Sequence, residues 1–254
     1  MSASDLRRFN GLRLDETLDS GRTVIVYAEI AEEDAALESR LLGLLSPPER
    51  DSAARFVFAR HRWTYVAAHA LLHRCLEAVI RRPACFAQGP FGKPELLRRD
   101  GEPALRFSLS HTKDLVAVAL CLEHEIGVDA EAIDLGLDGL PLAERFFSAQ
   151  ETDGLARLRD DDRARQFFAI WTMKEAVAKA VGLGLALPLD SFTVTPAPLH
   201  VAFHGEPAED GERWWFDQRM LPGHSLAVAV RHQSERMEIR EKALWRAVKP
   251  AELA

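Results

Sequence analysis

Residues 170–182, Ile170-Trp171-Thr172-Met173-Lys174-Glu175-Ala176-Val177-Ala178-Lys179-Ala180-Val181-Gly182, decide how this chain is read. Wound at about 3.6 residues per turn, the segment and its approach place Phe167, Ile170, Trp171, Ala178 and Val181 on one apolar stripe. Lys174 falls inside that stripe, and Glu175 and Lys179 stand beside it. Burying a lysine without a partner is costly, so a charge at a core edge faces either a ligand or an opposite charge. The plain alternative is a helix carrying a Glu175–Lys179 pair one turn apart, worth about 0.2–0.5 kcal/mol. Some forty residues upstream lies Gly127-Val128-Asp129-Ala130-Glu131. On a strand, Asp129 and Glu131 point to the same face. With Glu175 from the helix they supply oxygen ligands of the kind Mg²⁺ takes.

The composition sets the bounds. A chain of 254 residues can bury a large core in one large domain or two small ones. No apolar run approaches the ~18 residues needed to cross a bilayer, so no membrane partner is expected. The first nineteen residues are polar and charged, unlike a secretory signal, which makes the cytoplasm the default location. Cys75, Cys85 and Cys121 are scattered and fit neither a disulfide framework nor a zinc spacing. A net charge of −7 argues against a general nucleic-acid binder. The charge is uneven, however: from Arg40 to Lys113 there are 13 Lys and Arg against 6 Asp and Glu. A basic first half facing an acidic second half suits an anionic ligand and a cation held near one another.

Several elements follow from pattern. Residues 23–30 predict a strand, and Leu37 to Leu45 a short helix ending at Ser46-Pro47-Pro48. Trp63, Val66, Ala67, Ala70, Leu71, Cys75, Ala78 and Val79 recur at helical spacing, and that helix stops at Arg81-Arg82-Pro83. Gly89 to Pro94 is a turn-rich loop. Leu105 to His111 alternates as a strand, Leu115 to Leu122 is a continuous apolar one, and Ile126 to Ala130 another. Pro141–Phe147 and Gln150–Arg159 are helical, with Ser148 as N-cap and Glu151 at the capping-box position. The helix of the opening segment runs from about Arg163 to Val181. Strands follow at 190–194, 214–216 and 225–230, and the mixed stretch after Ala243 reads as loosely held.

His111 followed by Leu115-Val-Ala-Val-Ala-Leu120 echoes His224-Ser225-Leu226-Ala-Val-Ala-Val230. Each half also has a long amphipathic helix, a loop and then strands. This predicts an α+β fold built from a diverged duplication, a pseudo-dimer with an N-terminal half over 1–120 and a C-terminal half over 121–254.

A basic set complements the acids. Lys93 sits in Phe91-Gly92-Lys93-Pro94, where Gly92 admits a close ligand and Pro94 holds Lys93 extended. Ser110-His111 ends a strand and enters a turn, where a histidine and backbone N–H groups can meet a phosphate. Arg55 and Arg62 flank the start of the long helix. In isolation each of these is a modest signal, and Lys93 and the two arginines read more readily as ordinary surface.

Taken in order, the segments are more specific: an Arg-Phe start, Phe-Gly-Lys-Pro, Phe-Ser-Leu-Ser-His, Gly-Val-Asp-Ala-Glu, Arg-Phe-Phe-Ser with Glu151, and Trp-Thr-Met-Lys-Glu-Ala-Val-Ala-Lys. Over roughly residues 46–195 the chain resembles the Sfp-type 4′-phosphopantetheinyl transferases. The resemblance implies a pseudo-dimer of α+β halves that moves the phosphopantetheine arm of coenzyme A onto a serine of an apo acyl or peptidyl carrier protein. Adenosine 3′,5′-bisphosphate is left behind. It implies Asp129, Glu131 and Glu175 as Mg²⁺ ligands, and Lys93, Ser110 and His111 on the adenosine 3′-phosphate. Lys174 and Lys179 would face the pyrophosphate, and Trp171 would pack. Glu175 is the expected base, with Glu151 a second candidate for a catalytic role. Some relatives carry lysines upstream of Arg55-Phe56 where this chain offers only Arg50, leaving Arg50, Arg55 or Arg62 to replace them. A monomer is expected. Two other readings stay open from sequence: a non-catalytic coenzyme A or carrier-protein binding module, and a Mg²⁺-dependent nucleotide hydrolase. The second lacks a phosphate-cradling Gly-rich loop.

Overall fold

The computed structural model describes residues 14–19, 22–89, 94–102, 104–204, 213–232 and 244–254. The chain divides into two units, Met1–Glu123 with Arg240–Ala254, and His124–Ile239.

In the first unit, helix α1 (Leu14–Asp19) precedes strand β1 (Val24–Glu29), followed by helices α2 (Ala35–Leu42), α3 (Pro47–Ala54) and α4 (Ala59–Ile80). Ser46 and Glu49 form a capping box at the start of α3, so the Pro-Pro turn signal opens a helix of its own. Helix α4 ends at Arg81 in the left-handed region, at φ 58°. Strands β2 (Phe86–Gln88) and β3 (Pro94–Leu96) pair as a small hairpin, a feature the turn-rich sequence concealed. Strands β4 (Leu105–Thr112) and β5 (Leu115–Leu122) are antiparallel across a two-residue turn. The main sheet runs β11-β1-β5-β4, where β11 is Leu244–Val248. The apolar strand β5 is central, which explains its burial on both faces. Helix α4 lays Trp63, Val66, Ala67, Ala70, Leu71 and Cys75 into one core with β1 and β5, and the Trp63 indole donates to Ile30 O at 2.9 Å.

The stretch after Ala243, expected to be loose, is instead a sheet strand. β11 lies parallel to β1, Val24 opposite Leu244 and Ala28 opposite Val248. Its five-residue length and parallel, long-range pairing leave little local pattern to read.

In the second unit, strand β6 (Glu125–Ala132) leads to helices α5 (Leu140–Phe146), α6 (Ala149–Ala156) and α7 (Asp160–Val181). A hairpin of β7 (Phe192–Pro196) and β8 (Leu199–Phe203) comes next, then β9 (Arg213–Leu221) and β10 (His224–His232). The sheet order is β6-β10-β9, all antiparallel. Phe147, Phe167 and Trp171 stack beside one another and seat α5 on α7. Helix α7 also buries Met173, Ala176, Val177 and Ala180 against the sheet residues Ala227 and Ala229.

The two units repeat one order of elements. Each has a first strand, short helices, a 22-residue helix, a small hairpin and a long hairpin whose second strand pairs with the first. The echo is therefore real in topology, but its histidines do not correspond. Counted from the two-residue turns, Thr112↔Leu115 and Leu221↔His224, His111 lies level with Met220 rather than with His224. The apolar runs of β5 and β10 carry the equivalence. Among the described residues no helix is long and apolar enough to cross a membrane.

Candidate active site

Gly127, Asp129 and Glu131 alternate onto one face of β6, and α7 lies across that face. The approach is unusually close. A Cβ at Gly127 would stand 1.9 Å from Ala176 O and 2.6 Å from Ala180 N. Only glycine lets the helix settle there, and a glycine inside a strand is the sequence signal of such an approach.

Seating α7 there brings Lys179 to Asp129. Nζ donates to Asp129 Oδ1 at 2.6 Å and to Val128 O at 3.1 Å. Lys179 thus pairs across to the strand, besides standing one turn from Glu175. The Asp129 side chain is buried, whereas about 30% of Lys179 is exposed. Half-buried Glu175 has its carboxyl pushed above the usual range by burial and then by the charge of Asp129, with Lys179 opposing both. Glu175 directly precedes Ala176, whose carbonyl lies against Gly127, and stands one turn before Lys179, which holds Asp129. Glu131, half-buried, follows two residues along the same face. Its cross-strand partner Ser225 meets Thr172 Oγ1 at 2.8 Å, and Gln218 Nε2 donates to Ala169 O at 2.7 Å, so polar contacts also tie α7 to β10 and β9.

Lys174 goes elsewhere. It is fully buried and donates to Leu189 O at 2.6 Å and Phe192 O at 2.7 Å, with Glu151 Oε2 at 3.0 Å. Those contacts occupy all the donors an ammonium offers. Glu151 accepts in addition from Val194 N at 2.6 Å and Ser148 N at 2.7 Å. The pair joins α6, α7 and β7 inside the second unit. Burial holds the Lys174 pKa below its ordinary value, and Glu151 resists that shift. A lysine on an apolar stripe gave the clue that it needs a partner; the identity of that partner, 23 positions away in sequence, could not be read.

The anion-facing candidates stand in the first unit. Ser110 is buried and His111 exposed on adjacent positions of β4. Arg55 caps α3 and donates to Ser52 Oγ at 2.9 Å. Arg62 donates to Glu38 Oε1 at 2.5 Å, and Arg50 to Leu45 O at 3.0 Å. Lys93 lies outside the described residues. No group of three or more His, Cys, Asp or Glu is drawn together as a metal cage among the described residues.

Residues 125–229 match the family model described as the 4′-phosphopantetheinyl transferase superfamily. Over 194 residues the chain is 36% identical to 4′-phosphopantetheinyl transferase HetI of Nostoc sp., covering 75% of this chain and 79% of that protein. It is 31% identical over 164 residues to a 4′-phosphopantetheinyl transferase of Bacillus subtilis, covering 63% of this chain and 70% of the relative. A solved holo-(acyl-carrier-protein) synthase from Bacillus anthracis, in complex with coenzyme A, aligns over 43% of this chain and 96% of that one. Its TM-score is 0.37 and its identity 19%, a likeness too distant to argue from. The chain belongs to the 4′-phosphopantetheinyl transferase family and is an enzyme of that class.

Proposed function

We propose that this enzyme transfers the 4′-phosphopantetheine group of coenzyme A to a serine hydroxyl of an apo acyl or peptidyl carrier protein, releasing adenosine 3′,5′-bisphosphate. The observation that carries the reading is the cluster of Asp129, Glu175 and Lys179 where α7 crosses β6. It lies within the residues that match the family model.

The donor set suits Mg²⁺. Asp129, Glu131 and Glu175 offer oxygen alone, and Mg²⁺ is usually held by one or two carboxylates with waters and substrate phosphates rather than by a complete protein cage. The field that Asp129 exerts on Glu175 is one that a divalent cation relieves. When bound, the ion would neutralise charge on the pyrophosphate.

The chain's own residues supply the rest. Glu175, half-buried one turn before Lys179, is the carboxylate assigned as base for the serine hydroxyl. Lys179 fixes Asp129 and presents a half-exposed positive charge beside it, which favours charge developing on a leaving phosphate. In this reading Lys93, Ser110, His111, Arg55 and Arg62 serve the adenosine 3′-phosphate side. Glu151 and Lys174 set the seat of α7, which leaves Glu175 as the base. The same reading has the enzyme act as a cytoplasmic monomer, which light scattering of the purified protein tests for mass.

Incubation with coenzyme A, Mg²⁺ and an apo carrier protein should raise the carrier mass by one phosphopantetheine group. A chelator should stop the gain and added Mg²⁺ restore it. A folded enzyme that modifies none of a panel of apo carriers from fatty-acid, polyketide and nonribosomal peptide systems would overturn the reading.

A further inference from the structure

At the end of the β6–β10 ladder away from Glu131, two histidines stand side by side. His124 immediately precedes β6 and His232 is the last residue of β10. They follow directly on the cross-strand pair Glu125↔Arg231. Their ring centroids are 4.3 Å apart, with the planes inclined at 62°. His124 is 7% and His232 5% exposed. Neither ring nitrogen of His232 meets a hydrogen-bond partner among the described residues. A buried polar ring left in that condition is expensive and calls for an explanation.

We propose that His124 and His232 form a two-histidine site for a borderline divalent cation, with Zn²⁺ as the representative ion. Imidazole nitrogens bind Zn²⁺ at about 2.0–2.1 Å, which puts two chelating rings roughly 4.5–5.2 Å apart by centroid. The observed pair is within about an ångström of that range, a gap that side-chain rotation closes. Burial, with His124 alongside, keeps the His232 pKa down to about 4. Its ring is therefore neutral at physiological pH, the form that ligates metal. Among the described residues no third His, Cys, Asp or Glu completes a larger cluster, so the site is proposed on the two imidazoles alone. A bound ion would staple the strand that carries Asp129 and Glu131 to its neighbour. The site is independent of the proposed transfer chemistry, and its oxygen-free donor set separates it from a Mg²⁺ site.

The test is calorimetric titration of the full-length protein with Zn²⁺ in excess Mg²⁺, which fills oxygen-ligand sites. The wild type should bind one equivalent. His232→Phe and His124→Phe, which keep an aromatic ring in place, should each weaken it at least about tenfold. Titrations that match the wild type in both variants, or a wild type that takes up no Zn²⁺ under these conditions, would overturn the proposal. Should either variant fail to fold, ¹⁵N spectra of the wild-type histidine rings decide. Shifts confined to His124 and His232 at one equivalent support the site; unmoved resonances for both refute it.

Discussion

Glu175, Lys174 and Gly127 illustrate three different things a single residue does on or against helix α7. Glu175→Gln keeps the size and removes the base, so the rate of carrier modification should fall by about 10²–10⁴-fold while the circular dichroism spectrum is unchanged. A variant that keeps the wild-type rate would remove Glu175 from the chemistry. Lys174→Met acts through stability. It strands the Glu151 carboxylate in an interior where both side chains are almost wholly covered, and breaking a buried pair from one side costs about 3–5 kcal/mol. The expected result is a large drop in thermal midpoint with an ordinary KM for coenzyme A in whatever remains folded. A raised KM at unchanged stability would instead put Lys174 on the substrate. Gly127→Ala inserts a methyl 1.9 Å from Ala176 O. Backbone cannot yield as a side-chain tip does, so α7 must move. A loss of about 1–3 kcal/mol or more is expected, together with loss of activity, because Glu175 and Lys179 ride on the displaced helix. Wild-type stability for this variant would show that α7 does not sit where described.

At the scale of elements, what could be read depended on length. Helix α4 and the greater part of α7 were legible because a 22-residue helix repeats its apolar period several times. Strand β5 was legible because every residue but the last is buried. Helix α3 was absorbed into the approach to α4, since Pro47-Pro48 signals both a turn and a helix start. The three-residue strands β2 and β3 have no period to detect. Sequence also could not show that Glu49, the capping-box residue of α3, reaches His73 of α4 at 2.8 Å. Burial works against both charges. The hydrogen bonds from His73 and Ser46 still bring Glu49 down to about 2, and the bond to Glu49 with the nearby charge of Glu77 raises His73 to about 9. The raised His73 pKa contributes stability in full below its ordinary 6.5, lost as pH climbs through about 9. The lowered Glu49 pKa contributes above its ordinary 4.5, lost as pH falls through about 2. Urea midpoints measured against pH should therefore decline between about 6.5 and 9, and His73→Gln should flatten that decline. An unchanged slope in the variant would mean that the decline arises elsewhere.

Across the whole molecule, duplication made the α+β class readable, because each unit repeats a strand, a 22-residue helix and a long hairpin. The repeat is incomplete, and the difference lies in how the two sheets are finished. Among the described residues the second unit's sheet is β6-β10-β9, whereas the first gains β11 on the far side of β1. The added strand is long-range, joining residues 24–28 to 244–248, so no local pattern announces it. It is also well buried: Trp245, Val248 and Leu253 are 9%, 6% and 0% exposed, and Leu253 O accepts from Arg74 Nε of α4 at 3.0 Å. Ending the chain at Ala243 would remove all of these and leave the outer edge of β1 unpaired. Each large apolar side chain taken from a core is worth about 1.5–3 kcal/mol, so the three together reach on the order of 5 kcal/mol. Domain stability is itself only about 5–15 kcal/mol. The first unit of the truncated protein should be largely unfolded, with early amide exchange across β1 and β5 and lost protection in α4. Strands β6 and β10, which take no pairing from the removed segment, should keep theirs. Wild-type exchange across β1 in the truncated chain would show that β11 is dispensable to the sheet.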